Sequence, residues 1–135
     1  MITNIFNNET SNIAGVTHQL LNSLKVKVNR STLLASLESH PDYPSLLTIS
    51  DSLREFKVDS HAYQIDKKTY NPSNFSFPFI AYVSTRGGIF ILVHNIINGH
   101  VIVSDEKNKN QLILESEFSK LWGGVLLSAT LRKES

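Results

Sequence analysis

Residues able to do chemistry are few in this chain. It carries five histidines (His18, His40, His61, His94 and His100), twelve carboxylates and no cysteine. The lack of cysteine removes a thiolate nucleophile, a disulfide framework, a thiolate metal site and a redox pair together. The histidines do not fill the gap. No two stand four residues apart with an acid beside them, the spacing by which a helix face grips zinc, so no metal and no cofactor is expected. His94 and His100 fall on one predicted hairpin, and His18 falls near the edge of a helical apolar stripe. His40 and His61 read as structural histidines. Asp105 follows an apolar strand and precedes Lys107-Asn108-Lys109, where an aspartate caps a turn.

Composition frames these residues. A length of 135 residues argues for one domain spanning 1–135. With 41% hydrophobic and 19% charged residues it can bury a core without staples. A net charge of +1 and scattered lysines and arginines give no electrostatic case for nucleic acid or an anionic membrane. The N-terminal residues Met1–Glu9 lack a charged region followed by an apolar core, so they do not read as a signal peptide. No apolar run approaches the roughly 20 residues that span a bilayer.

The elements that would position any site fall into two halves, helical over about 10–57 and sheet over about 59–131. Thr10 or Ser11 caps a first helix whose apolar face carries Ile13, Val16, Leu20, Leu21 and Leu24. Asn29 or Ser31 caps a second helix, and Pro44 suits the first turn of a third. His61–Ile65 reads as a short strand, and 66–74 as a polar connection with one helical turn. Phe79–Val83 is apolar at nearly every position, as in a central strand. Asn98-Gly99 between Ile89–Ile97 and His100–Ser104 is a two-residue hairpin signal. Gln111–Leu114 is a strand, Glu115–Leu121 a short helix, and Val125–Leu131 the closing strand. Three helices followed by a mostly antiparallel sheet of about five or six strands make an α+β fold.

Taken in order, several segments resemble the double-glycine, bacteriocin-processing cysteine peptidase domain at the front of peptide exporters. They are Leu24-Lys25-Val26-Lys27-Val28, Ile89-Phe90, Asp105-Glu106 and Leu121-Trp122-Gly123-Gly124-Val125. The resemblance implies a papain-like arrangement: N-terminal helices packed on the sheet, and a thiolate at a helix start. A strand histidine would deprotonate it, an acid would orient that histidine, and an upstream glutamine would hold the oxyanion. Counting from the landmarks puts the cysteine position at Asn12, the glutamine position at Phe6, the histidine at Ile89 and the acid at Asp105. Sixteen residues separate Ile89 from Asp105, close to the family spacing. Asn12 cannot attack a carbonyl at neutral pH and Ile89 cannot carry a proton. Ser11 stands beside the nucleophile position, but a serine hydroxyl needs a base where Ile89 stands.

The resemblance therefore implies a degenerate, inactive peptidase-like domain that binds a peptide or leader segment. Asn12, Tyr43, Ile89 and Phe90 are its candidate binding residues. The segments His40–Leu47, Phe77–Ala81 and Arg86–Gly88 further resemble Bacteroidetes-type domains fused to vitamin-K-epoxide-reductase-like or ABC exporter membrane modules. That likeness implies a cytoplasmic place at the inner face of the membrane. Two alternatives are a docking module that binds no peptide, and an active leader peptidase with a non-cysteine nucleophile.

Overall fold

The structure is a computed structural model and describes residues 8–132. Helix α1 spans Asn8–Ser23, α2 Arg30–Glu38 and α3 Leu46–Glu55. Strand β1 spans Val58–Gln64, β2 Phe79–Val83, β3 Ile89–Ile97, β4 His100–Ser104 and β5 Gln111–Leu114. Helix α4 (Glu115–Leu121) leads into β6 (Trp122–Leu131). The six strands form one sheet in the order β1-β6-β2-β3-β4-β5, antiparallel throughout. The α+β reading therefore holds. Among the described residues no helix is long and apolar enough to cross a membrane.

Local chemistry explains most element ends. Asn29 caps α2, its Oδ1 accepting from the Ser31 N–H at 2.8 Å. Ser45 caps α3 by accepting from the Thr48 N–H at 3.1 Å. Pro44 therefore precedes the cap and lies outside the first turn of α3. The hairpin turns at Asn98 (φ 52°) and Gly99 (φ 76°), the left-handed pair a type I′ turn needs. Three starts differ from the sequence reading. α1 begins at Asn8. β1 begins at Val58 opposite Leu131 and β6 already pairs at Trp122 with Val83, because ladder pairing rather than side-chain pattern sets a strand's ends.

The sheet carries apolar residues on both faces. Helices α1–α3 cover one face, where Ile13, Leu20, Leu33, Ile49, Phe90 and Leu92 meet in one buried cluster. The other face holds Phe79, Ile91, Val93, Phe118 and Trp122, with Tyr70, Phe75 and Phe77 packed on them. Trp122 stacks on Phe79 at 6.0 Å and on Phe118 at 4.9 Å, and its Nε1–H donates to the Val125 carbonyl at 2.8 Å. The connection after β1 includes the predicted turn, a 3-10 turn at Pro72–Asn74. It is more than a polar link, because Tyr70 and Phe75 close this second core.

Candidate functional site

Asn12 lies in the second turn of α1 and is buried, 4% exposed. Its carboxamide meets the edge of β3. Nδ2 donates to the Phe90 carbonyl and Oδ1 accepts from the Phe90 N–H, both at 2.9 Å. The last pair between β3 and β4 is Leu92 with Ser104, and beyond it β4 turns away. A carboxamide offers the same donor and acceptor as a peptide group. Asn12 thus stands in for the strand that has left and satisfies main-chain groups that would otherwise be orphaned at a buried residue.

The amide also joins an ionic network. Nδ2 donates to Glu106 Oε1 at 2.7 Å. The Glu106 carboxylate, 6% exposed, takes both prongs of Arg86: Nη1 to Oε2 at 3.1 Å and Nη2 to Oε1 at 3.2 Å. Arg86 Nη2 reaches Asp105 Oδ2 at 3.4 Å. Asp105 Oδ1 accepts from the N–H groups of Lys107 at 2.8 Å and Asn108 at 2.7 Å, so Asp105 does cap the turn. Gln19 ties the turn to α1 by donating to the Asp105 carbonyl at 2.8 Å. Burial works to raise the Glu106 pKa. The hydrogen bonds from Arg86, from Asn12 and from its own backbone outweigh that and hold it below the usual carboxylate value. Arg86 is shifted upward by its bond to Glu106, so the pair stays charged.

A cleft of about 310 Å³ opens beside this network, lined by Asn12, Ile13, Pro44, Tyr82, the Arg86–Gly88 turn, Ile89 and Phe90. Tyr82 stands over its floor, 5.1 Å from Phe90 and close to Gly88. A second hollow of about 270 Å³ is lined by Ile89, Asp105, Ile91, Val103 and Phe118 among others. Ile89 borders both. Asn12 engages the Phe90 main chain, and Ile89 packs into the aromatic cluster on the face away from α1. Asn12 also stands past the free N–H groups of the first turn, not at the helix start as expected.

The remaining candidates are placed as follows. Phe90 is buried under Tyr82. Tyr43 is half-buried against the helical cluster and does not line the cleft, whereas its neighbour Pro44 does. Phe6 and the side chain of Ser11 lie outside the described residues.

No histidine lines the cleft. His94 sits at a bulge in β3, and its Nε2 shares a hydrogen bond with the Ser104 hydroxyl at 2.7 Å. That hydroxyl in turn accepts from the Asn110 N–H. Burial lowers the His94 pKa, so the ring is neutral. Both nitrogens of His40 are engaged, with Asp51 at 2.6 Å and the Asp42 N–H at 3.0 Å. His18 bonds the Val28 carbonyl, and His100 the Asn98 carbonyl.

Three residues of this site escaped the sequence reading: Glu106, Arg86 and Gly15. A Cβ on Gly15 would lie 2.8 Å from Glu106 Cβ, so the glycine lets the acidic turn close on α1. Its signal was available, because a glycine inside an apolar helical pattern marks a close approach.

The likeness to known proteins fits this geometry. Residues 5–134 match the model of the peptidase C39 family. The peptidase domain of Streptococcus ComA, a bi-functional ABC transporter involved in a quorum-sensing pathway, aligns with TM-score 0.78 at 15% identity, covering 91% of this chain and 93% of that one. A double-glycine motif protease from an AMS/PCAT transporter, in complex with the leader peptide, aligns with TM-score 0.75 at 16% identity over 86% and 81% of the two chains. The N-terminal peptidase C39-like domain of a toxin secretion ATP-binding protein from Vibrio parahaemolyticus gives 0.70 at 8% identity over 88% and 95%. At such identities the likeness is one of fold. No curated protein sequence matches the chain. Since the family match reaches from residue 5 to residue 134, this cysteine-free chain belongs to the peptidase C39 family.

Proposed function

We propose that the chain is a catalytically silent member of its family, a single domain that holds a peptide without cutting it. The observation that carries this reading is the use of Asn12. At the nucleophile position an amide is bound to main chain and to Glu106, beside a cleft that remains open. Hydrolysis by the family mechanism needs a thiolate and a proton carrier. The chain has no thiol, and Ile89 stands where the carrier would be.

A peptide would lie against Ile89, Tyr82 and Pro44, with Asn12 and Phe90 as the floor and Arg86 at one end. A lining that mixes apolar side chains with fixed polar groups suits a small peptide segment. A related double-glycine protease is described in complex with a leader peptide, which supports a leader segment of an exported protein as the ligand. The chain would then act at the cytoplasmic face of the membrane, within or beside an exporter or a redox membrane module. Affinity is modest, because an extended peptide loses conformational freedom on binding.

Calorimetric titration with a double-glycine leader peptide, followed by mass analysis of the recovered peptide, tests the reading. Saturable binding with the peptide intact supports it. Cleavage makes the chain an enzyme, and absence of binding favours a docking module.

A further inference from the structure

β5 is the outer strand of the sheet. The residues Gln111–Leu114 include no charge, no proline and no bulge, the features that blunt exposed edges. The Glu115 N–H reaches the Gly99 carbonyl at 2.8 Å on the β4 side. By alternation Ile113 and Gln111 also turn their main chain to β4, and Leu112 and Leu114 turn theirs outward. The side chains of Leu112 and Leu114 are 64% and 52% exposed, while Ile113 packs into the aromatic cluster. The exposed Ile97 extends their surface, two strands away through His100. Charge along the strand is polar from end to end. Lys107 and Lys109 precede it and form no ion pair among the described residues, and Glu115 and Glu117 follow it. Glu117 has only an exposed partner, Lys120 at 3.5 Å.

We propose that this edge docks a second copy of the same chain. Two β5 strands pair antiparallel about a two-fold axis at Ile113 and join the two sheets into one. The outward groups fix the register: Leu112 of each copy faces Leu114 of the other, the Leu114 N–H donating to the Leu112 carbonyl and the Leu112 N–H sharing the Leu114 carbonyl, which also opens α4. The same register sets the exposed leucines side by side on one face. It also carries the lysine end of each strand to the glutamate end of the other. An unrelated extended peptide could supply the hydrogen bonds. The opposed charges favour the chain itself, because a two-fold axis repeats each attraction. A four-residue edge covers far less than a standard interface, so association is weak and reversible, with Kd of roughly 10–500 µM.

Sedimentation velocity of the whole chain, from about 10 µM to about 1 mM, reads this directly. A monomer–dimer equilibrium is expected. Leu112→Pro removes an outward N–H and leaves the β4 ladder intact, so it should weaken the dimer at least about tenfold with an unchanged circular dichroism spectrum. Lys109→Glu keeps every main-chain bond and should weaken it about three- to tenfold, and Lys109→Glu with Glu117→Lys should restore it. A monomer at the highest concentration overturns the proposal, as does a folded Leu112→Pro variant that still dimerises or a charge swap that fails to rescue. A monomer whose Leu112 and Leu114 amides shift only when peptide is added also overturns it, because the edge then serves a peptide.

Discussion

Replacing Asn12 probes the site most sharply. Asn12→Ala leaves the Phe90 N–H and carbonyl without partners at a residue 7% exposed, and it strips a donor from Glu106. Each unpaired buried group costs about 1–3 kcal/mol, so a loss of about 3–5 kcal/mol is expected. For a domain of this size each kcal/mol moves Tm by roughly 3–5 °C, so Tm should fall by roughly 10–25 °C. Asn12→Asp keeps the shape and the acceptor for the Phe90 N–H. It turns a carboxylate toward the Phe90 carbonyl and toward Glu106, whose oxygen lies 2.7 Å from Nδ2. At neutral pH this isosteric change should cost more than Asn12→Ala, which no packing argument would give. The introduced carboxyl is pushed above its ordinary value of about 3.9. Its penalty is therefore full above that raised pKa and shrinks as pH falls through it, when an O–H donor returns. Urea unfolding of the three proteins at neutral and mildly acidic pH measures these differences. The reasoning is refuted if Asn12→Asp lies within about 1 kcal/mol of the parent at neutral pH, or if its deficit grows on acidification.

Other outcomes follow from the same contacts. Gly15→Ala, which in an exposed helix would stabilise by about 1 kcal/mol, should instead lower stability by about 1–3 kcal/mol, because the new methyl meets Glu106 Cβ at 2.8 Å; thermal unfolding gives the sign. Glu106 has a depressed pKa in the folded state. The stability it contributes is present above the unfolded carboxylate value of about 4.3 and is lost as pH falls through the lower folded value. Glu106→Gln should cost about 2 kcal/mol at neutral pH and flatten the acid limb of the stability curve. The Tyr70 phenol is shifted upward by burial first and then by its hydrogen bond to Glu115. Absorbance titration should show a phenol that stays protonated well above the ordinary value of about 10, and Tyr70→Phe should remove that late transition.

The fold was legible because its main signals are local. Asn29 could be read as a cap, Asn98-Gly99 as a tight hairpin and Phe79–Val83 as an interior strand, each from a few neighbouring residues. The order of those elements carried the family. The site was only half legible. Counting along the chain singled out Asn12 and Ile89, which line one cleft, and Asp105, which lines the neighbouring hollow. It could not show that the Asn12 amide replaces a departed strand, or that Ile89 faces the other layer. Glu106 and Arg86 entered the sequence reading only as members of the Asp105-Glu106 and Arg86–Gly88 segments. Their pairing joins two loops through the tertiary fold, twenty residues apart in sequence, and no periodicity records it.

The central claim is that the cleft binds a leader-type peptide that the chain cannot hydrolyse. The most direct test is one nuclear magnetic resonance titration of the labelled chain with a double-glycine leader peptide, in which protein and peptide signals are followed together. Saturable shifts at Tyr82, Arg86, Gly88 and Ile89, with the peptide signals unchanged in number after prolonged incubation, are the expected result. New peptide termini, or a spectrum that stays still around the cleft, would contradict it.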